Sequence, residues 1–537
     1  FVPGLPPGAP QSESFLKLAA TALTTRSDLP LVILHTFGNR NIPPEGDVFA
    51  HLSIFEPRDG VSSFANRPDL QARTGINLRG SSTLGYPKPS LSVELWNEFN
   101  DDRNAKVIGM PAESDWVFYA PNNFEPILIH NSYAHQLSRN IGRYSPRTRF
   151  AEVYLNRNGG TVTANDYVGI YVIEEKIKRG SDRVDVPALE PEHIAPPQVT
   201  GGYLMKIDRS GSGEYNLWAG GASVVVTYPL AEELNRPERQ PQVNYLQGYL
   251  DAFGNALNGP GFTHPLTGYA GYIDVDSWID HHLLNIITFN VDALRLSAYF
   301  YKERNGKLVF GPVWDFDRAL NSTDGRDGNP RLWRSAVSDR GTDFFGYNTQ
   351  AWWGRLFEDL DFWQRWIDRW QNLREDAFSL ASLHGLVDEQ ANQLRQAQPR
   401  EVIKWPGHSP RGGSYQAEVD SLKRWLSNRV DFIDTNFLRR PVPGIPAGPV
   451  APGTLIALTA PSGATVYYTL DGTDPRAPGG NVAAGAKTYA DPIRIDANTR
   501  LFARARNLSH RNVTSTTWDD GKPPLSTPWS GPVVGTD

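Results

Sequence analysis

From about Leu29 to Asp208 the hydrophobic positions either alternate with polar ones or gather in short runs. After about Asp274 they recur every three or four residues. The first pattern predicts strands and the second amphipathic helices. "LPLVILHTF" is a short apolar run, and "INLRGSSTLGYPKPSLSVEL" reads as two strands around a turn-rich loop. "AEVYLNRNGG" and "YVGIYVIEEKI" flank an Asn/Gly turn, which predicts a hairpin. One helix is expected within this part, at "EPILIHNSYAHQLSRNIG". Further on, "DVDSWIDHHLLNIITFNVDAL" opens with an Asp suited to capping a helix. "DLDFWQRWIDRWQNL" sets Trp363, Trp366, Ile367, Trp370 and Leu373 on one face. "YQAEVDSLKRWLSNRVDFIDTNFL" does the same with Val419, Leu422, Leu426, Val430 and Ile433. Such stripes predict core packing. Strands followed by helices give an α+β class.

"RRPVPGIPAGPVAPG" interrupts this pattern and reads as an extended linker. Beyond it, "TLIALTAPSGATVYYTLDGTDP" and "YADPIRIDANTRLFARARN" predict a small all-β unit. The expected divisions are a linker over residues 1–28, a main domain over 29–440, a linker over 441–451, the β unit over 452–510 and a tail over 511–537.

Composition narrows the function classes. The 537 residues exceed one hydrophobic core, and 39% hydrophobic with 21% charged content fits a globular protein. A net charge of −6 argues against a general nucleic-acid binder, while leaving room for a nucleotide site. With no cysteine, disulfides, thiolate metal sites and cysteine nucleophiles are excluded. No apolar run reaches membrane-spanning length. The chain opens at Phe1 without an initiator Met, so a signal peptide or upstream domain is expected to precede it, and export from a bacterium is the expected setting.

The strongest chemical feature is "FNVDALRLSAYFYKERNGKLVFGPVWDFDRAL". Asp315 and Asp317 follow an apolar strand, a placement that suits hard oxygen ligands for Mg²⁺ beside phosphate. Asp292, earlier in the chain, could orient or deprotonate a hydroxyl nucleophile. The same residues could instead cap a helix and make turn hydrogen bonds.

A series of motifs then resembles the CotH (spore-coat protein H) kinase family, in order from about Leu29 to about Arg440. These are "RGSSTLGYPKPS", "WVFYAPNNFEPILIHNSYAHQLSRNIG", "AEVYLNRNGG", "YVGIYVIEEKIKRGSDRVDV", "GGYLMKIDR", "NVDALRLSAYFYK" and "GKLVFGPVWDFDRAL". The resemblance implies an atypical two-lobed protein-kinase-like domain that uses ATP and Mg²⁺ to phosphorylate Ser or Thr of a protein substrate. Asp292 would then be the catalytic carboxylate and Asp315 the metal ligand, with Asp317 and Ser297 as further metal candidates. Lys88 and Glu175 would form the pair that holds the nucleotide phosphates, with Arg79, Ser82 and Lys206 as further nucleotide contacts. The chain departs from the family pattern at Ser297, where Asn is common, at Glu125, where Asp is common, and at His130, where Arg is common.

The C-terminal pieces "VYYTLDGTDP", "YADPIRI" and "TRLFARARN" resemble the Fn3-like sandwich at the end of chitobiases and β-hexosaminidases. The resemblance implies an accessory module, a spacer or a contact with a glycan or cell surface. Two function classes follow: an active exported or surface-associated kinase, and a non-catalytic surface or adhesion protein on the same fold. A glycoside hydrolase, suggested by the terminal module alone, is the weakest reading.

Overall fold

The computed structural model describes residues 13–122, 124–211, 213–333, 344–345, 352–513 and 527–534. The Pro/Gly-rich opening stretch, through residue 12, and the "DDGKPPLS" part of the expected tail lie outside the described residues. The chain forms two compact units. One comprises the described residues up to Gln136 together with Ser145–Val184 and Gly385–Ser421. The other comprises Leu137–Tyr144 and the described residues of 185–384 and 422–537.

The first unit is a closed barrel. Its strands are β1 (Leu31–His35), β2 (Val48–Phe55), β3 (Leu70–Arg79), β4 (Ser90–Trp96), β5 (Asp115–Tyr119), β6 (Thr148–Asn156) and β7 (Tyr167–Glu175). They follow the order β1-β2-β3-β4-β5-β7-β6, and β1 closes the barrel by pairing parallel to β6, Leu31 opposite Glu152. Closure leaves no free sheet edge. The predicted hairpin is β6–β7, with Glu152 opposite Ile170. Alternation fills the interior: Val32, Leu34, Leu52, Val93, Trp116, Phe118, Val153, Tyr171 and Ile173 share one buried cluster. The predicted helix appears at His130–Asn140. A helix far along the chain, Gln398–Lys404, also belongs to this unit. The order of strands then helices therefore does not map onto the two units, because a late helical segment carries the carboxylate that a buried barrel lysine requires.

The second unit holds a five-stranded sheet. Its strands are β8 (Tyr203–Ile207), β9 (Tyr215–Ala219), β10 (Ala222–Tyr228), β11 (Ala298–Lys302) and β12 (Leu308–Phe310), in the order β12-β11-β8-β10-β9. Helices Gln240–Asn258, Val275–Thr288 and Leu360–Leu373 accompany it. Asp274 caps the second of these, accepting from the Ser277 amide at 2.7 Å, and Asp359 caps the third. The Trp stripe on Leu360–Leu373 is buried, and Trp366 stacks on Trp370 at 6.2 Å between centroids. Trp366 Nε1 donates to His282 Nδ1 at 3.0 Å, so His282 is neutral there and its Nε2–H donates to the Phe344 carbonyl. Arg369 and Arg143 both grip the buried Asp280, at 2.6 and 2.7 Å.

The C-terminal part of this unit is all-β. A four-stranded sheet contains Thr465–Thr469, Lys487–Thr488, Phe502–Arg506 and Val533–Val534, and the pair Thr454–Ile456 and Ile493–Ile495 lies beside it in sequence. Two expectations are corrected here. Part of the stretch taken as a linker forms strand Val442–Pro443, paired with Leu458–Thr459. Part of the expected tail returns as strand Val533–Val534 on Phe502–Ala503. Just before the second of these strands, Trp529 is fully enclosed and donates to the Gly480 carbonyl at 2.8 Å. The "LDGTDP" segment is a turn, in which Asp471 accepts from the Thr473 amide at 2.9 Å. The module is also fastened to helix Leu360–Leu373. Arg504, nearly fully buried, holds Asp368 at 2.6 Å and Asp474 at 2.6 Å. Arg476 holds Asp361 at 2.6 Å.

Candidate functional site

In the second unit, Asp292 and Asp315 sit on two segments laced together by the backbone. Helix Val275–Thr288 ends with Phe289 in the left-handed region, and the chain turns toward Asp292. The Val291 amide donates to the Arg318 carbonyl at 3.4 Å and the Leu320 amide to the Thr288 carbonyl at 2.9 Å. The segment bearing Asp292 therefore runs beside the one that follows Asp315. Asn290 supports the turn, taking the Asp292 amide on Oδ1 at 3.1 Å and donating from Nδ2 to Asn285 at 3.1 Å. The Asp292 carboxylate caps no helix; it is paired with Arg295.

Ser297 Oγ donates to Asp315 Oδ2 at a long 3.4 Å. Asp315 (φ 65°) and Ser297 (φ 50°) both hold left-handed backbone, which residues other than glycine adopt uncommonly. Surrounding protein, then the carboxylates of Asp292 and Asp208, push the Asp315 carboxyl up to about 6, against the Ser297 hydrogen bond and Arg318. The Asp315 side chain nevertheless keeps contact with solvent. Asp317 is half-buried two residues on. Lys206, on β8, is held by Glu214 at 2.9 Å and Asp208 at 3.3 Å. Among the described residues, no three His, Asp or Glu side chains converge as a metal cage.

The first unit holds the remaining expected residues, and it does not pair them as expected. Lys88 is fully enclosed. Its Nζ donates to Glu401 Oε1 at 2.7 Å and to the Pro121 carbonyl at 2.9 Å. Burial pulls the Lys88 ammonium down, while Glu401, by charge and hydrogen bond, and the charge of Glu125 oppose that. Glu401 Oε2 accepts the Ile170 amide at 2.7 Å. Gly169 makes room for the pair: at φ +117°, a Cβ there would lie 2.4 Å from Glu401 Oε2 and 3.0 Å from Lys88 Cε. Glu175 instead binds Arg147 and Arg183, each at 2.6 Å, and accepts the Arg147 amide at 2.9 Å. In place of a Lys88–Glu175 pair stand the buried Lys88–Glu401 pair and a separate Arg147–Glu175–Arg183 cluster. Strand β7 aims Glu175 at the arginines, and Lys88 takes its counter-charge from helix Gln398–Lys404. Arg79 donates to Ser92 Oγ at 3.5 Å, and Ser82 lies exposed on the loop after β3. Glu125 accepts the His130 amide at 2.8 Å and pairs with Tyr119, fixing the start of helix His130–Asn140.

Two residues escape the sequence reading. Asp208 shares a strand face with Lys206, so alternation in "MKIDR" was a usable signal. Glu401 lies on a helix remote in sequence from Lys88, and no local pattern marks it.

The first unit thus holds a buried lysine–glutamate pair between its barrel and helix Gln398–Lys404, and the second carries Asp292 and Asp315 on adjoining loops. The chain belongs to the CotH kinase protein family, whose model matches residues 76–433. A second match, to the chitobiase/beta-hexosaminidase C-terminal domain, covers residues 445–517. Comparison with curated proteins gives no match.

Proposed function

We propose that the chain is an atypical protein kinase that transfers the γ-phosphoryl group of ATP, with Mg²⁺, to a Ser or Thr hydroxyl of a protein. The observation that carries this is the placement of Asp292 and Asp315 on backbone-laced segments, where burial and then the like charge of Asp292 and Asp208 raise the Asp315 carboxyl. A carboxylate crowded by like charge favours a bound cation. Bound Mg²⁺ would supply charge neutralisation on the phosphates. Asp315 would hold it, with Ser297, its hydrogen-bond partner, and Asp317, two residues on, as further oxygens. Asp292 accepts the hydroxyl proton as the acceptor oxygen bonds to phosphorus and the bond to the bridging oxygen of ADP breaks. Arg295 fixes Asp292 in place for that step.

The setting we propose is an exported or surface-associated bacterial protein whose terminal module contacts a glycan or cell surface. No described helix is long and apolar enough to cross a membrane. A binding-only role is favoured by one observation: Ser297 offers only a hydroxyl beside Asp315. Calorimetric titration with a non-hydrolysable ATP analogue separates the two. Mg²⁺-dependent binding that Asp315→Asn weakens by at least about tenfold supports the kinase. Absence of nucleotide binding by the wild-type chain overturns it.

A further inference from the structure

A cavity of about 130 Å³ opens within the second unit, bounded by the end of helix His130–Asn140, helix Val275–Thr288 and the end of β12. Two buried side chains on its wall have no hydrogen-bond partner among the described residues. His281, 4% exposed, has neither ring nitrogen partnered, and the Ser138 hydroxyl, 0% exposed, is equally unmet. Buried polar groups are ordinarily hydrogen-bonded, so two such groups on one cavity wall point to a ligand that brings its own donor and acceptor. The wall is otherwise neutral. Burial, then the neighbouring His282, pulls the His281 imidazole down to about 3. Arg143, the one charged residue among those described on the wall, turns to Asp280 at 2.7 Å. Burial, then Glu303, pushes the Tyr301 hydroxyl up to about 12, so it stays protonated. Phe310, whose ring lies 4.5 Å from that of His281 between centroids, joins Leu284 and Val313 as apolar surface.

We propose that this cavity binds an uncharged nitrogen heterocycle of nucleobase size, its edge hydrogen-bonded to His281 and Ser138 and its faces on the apolar wall. The volume is several times the roughly 30 Å³ of one water, enough for a small ring system without a phosphate chain. A neutral imidazole carries one donor and one acceptor, and a hydroxyl can act as either, which matches the mixed edge of such a ring. A neutral wall whose one cation is already paired gives an ion nothing to bind. The base of the donor nucleotide and a free nucleoside share this chemistry. The first source rests on the kinase reading, and Val313 stands two residues before Asp315, at most about 8 Å away along the chain.

The test is calorimetric titration of the full chain with adenosine and with cytidine, without metal, in the wild type, His281→Phe and Ser138→Ala. Phe keeps an aromatic ring and removes both nitrogens. Each variant is expected to bind the nucleoside about three- to tenfold more weakly, the loss of one neutral hydrogen bond. Since neither His281 nitrogen bonds to described protein, His281→Phe should keep the wild-type melting temperature. Nucleoside that MgATP displaces identifies the nucleotide's own base as the occupant; nucleoside that binds alongside MgATP identifies a free nucleoside, and either supports the inference. Binding of neither nucleoside by the wild type, or wild-type affinity in both variants, overturns it and leaves the cavity to water. A lowered melting temperature in His281→Phe with undiminished binding in Ser138→Ala overturns it as well. Nucleoside binding that depends on His281, in a chain that transfers no phosphoryl group from MgATP, overturns the kinase reading alone.

Discussion

Replacing Lys88 by Met isolates the buried ion pair of the barrel. Both side chains are shut away from water, Lys88 at 0% and Glu401 at 1% exposure, so solvent does not screen the loss. Met retains most of the aliphatic stem and leaves little cavity. What disappears is the 2.7 Å contact to Glu401 and the 2.9 Å contact to the Pro121 carbonyl. Glu401 then keeps only the Ile170 amide as a donor. Breaking a buried pair from one side costs about 3–5 kcal/mol. For a folded body of about 200 residues that lowers Tm by roughly 6–20 °C. Urea and thermal melts of the full chain, followed by tryptophan fluorescence, read the effect. Lys88→Met with Glu401→Met should recover at least about 1 kcal/mol of the summed single losses, because neither charge is then stranded. A loss below about 1 kcal/mol for Lys88→Met, or strict additivity in the double variant, would refute the claim that the pair is coupled and buried.

Three further outcomes follow from particular side chains. Burial pushes the Asp327 carboxyl up to about 7, against hydrogen bonds from the Ser322 amide and hydroxyl. Since this raises the folded pKa above the unfolded one, the folded state binds the extra proton between about pH 4 and 7, and stability falls as pH rises through that window. Asp327→Asn should flatten that slope and stabilise the protein at pH 8 by on the order of 2–4 kcal/mol, read from melts across pH; an unchanged slope would count against it. Ser297 is left-handed, a conformation Asn tolerates, so Ser297→Asn should leave stability within about 0.5 kcal/mol and tighten Mn²⁺ binding through the added amide oxygen; a destabilised or weaker-binding variant would oppose this. Arg504→Ala strands Asp368 and Asp474, and should cost about 2–3 kcal/mol and raise amide exchange across Phe502–Arg506. Unchanged exchange would mean the module is held by other contacts.

Much of the fold was legible because burial imposes periodicity. The β6–β7 hairpin, the capped helix after Asp274 and the Trp stripe on Leu360–Leu373 all follow from spacing. The site was legible where one short segment carries it, as with Asp292, Ser297 and Asp315. It was not legible where distant segments meet. Lys88 finds Glu401 across 313 residues of chain, and nothing local distinguishes that glutamate from Glu175. The terminal module shows the same limit. Pro-rich and Gly-rich segments read as linkers, yet Val442 and Val533 supply strands because Leu458–Thr459 and Phe502–Ala503 offer backbone partners that are distant in sequence.

The central claim is phosphoryl transfer through Asp292 and Asp315. Its most direct test is incubation of the full chain with [γ-³²P]ATP and Mg²⁺, followed by phosphoamino-acid analysis of the chain and of added acceptor protein. The account predicts label on Ser or Thr that requires Mg²⁺ and is lost in both Asp292→Asn and Asp315→Asn. Label that persists in either variant, or a wild-type chain that transfers none, would contradict it.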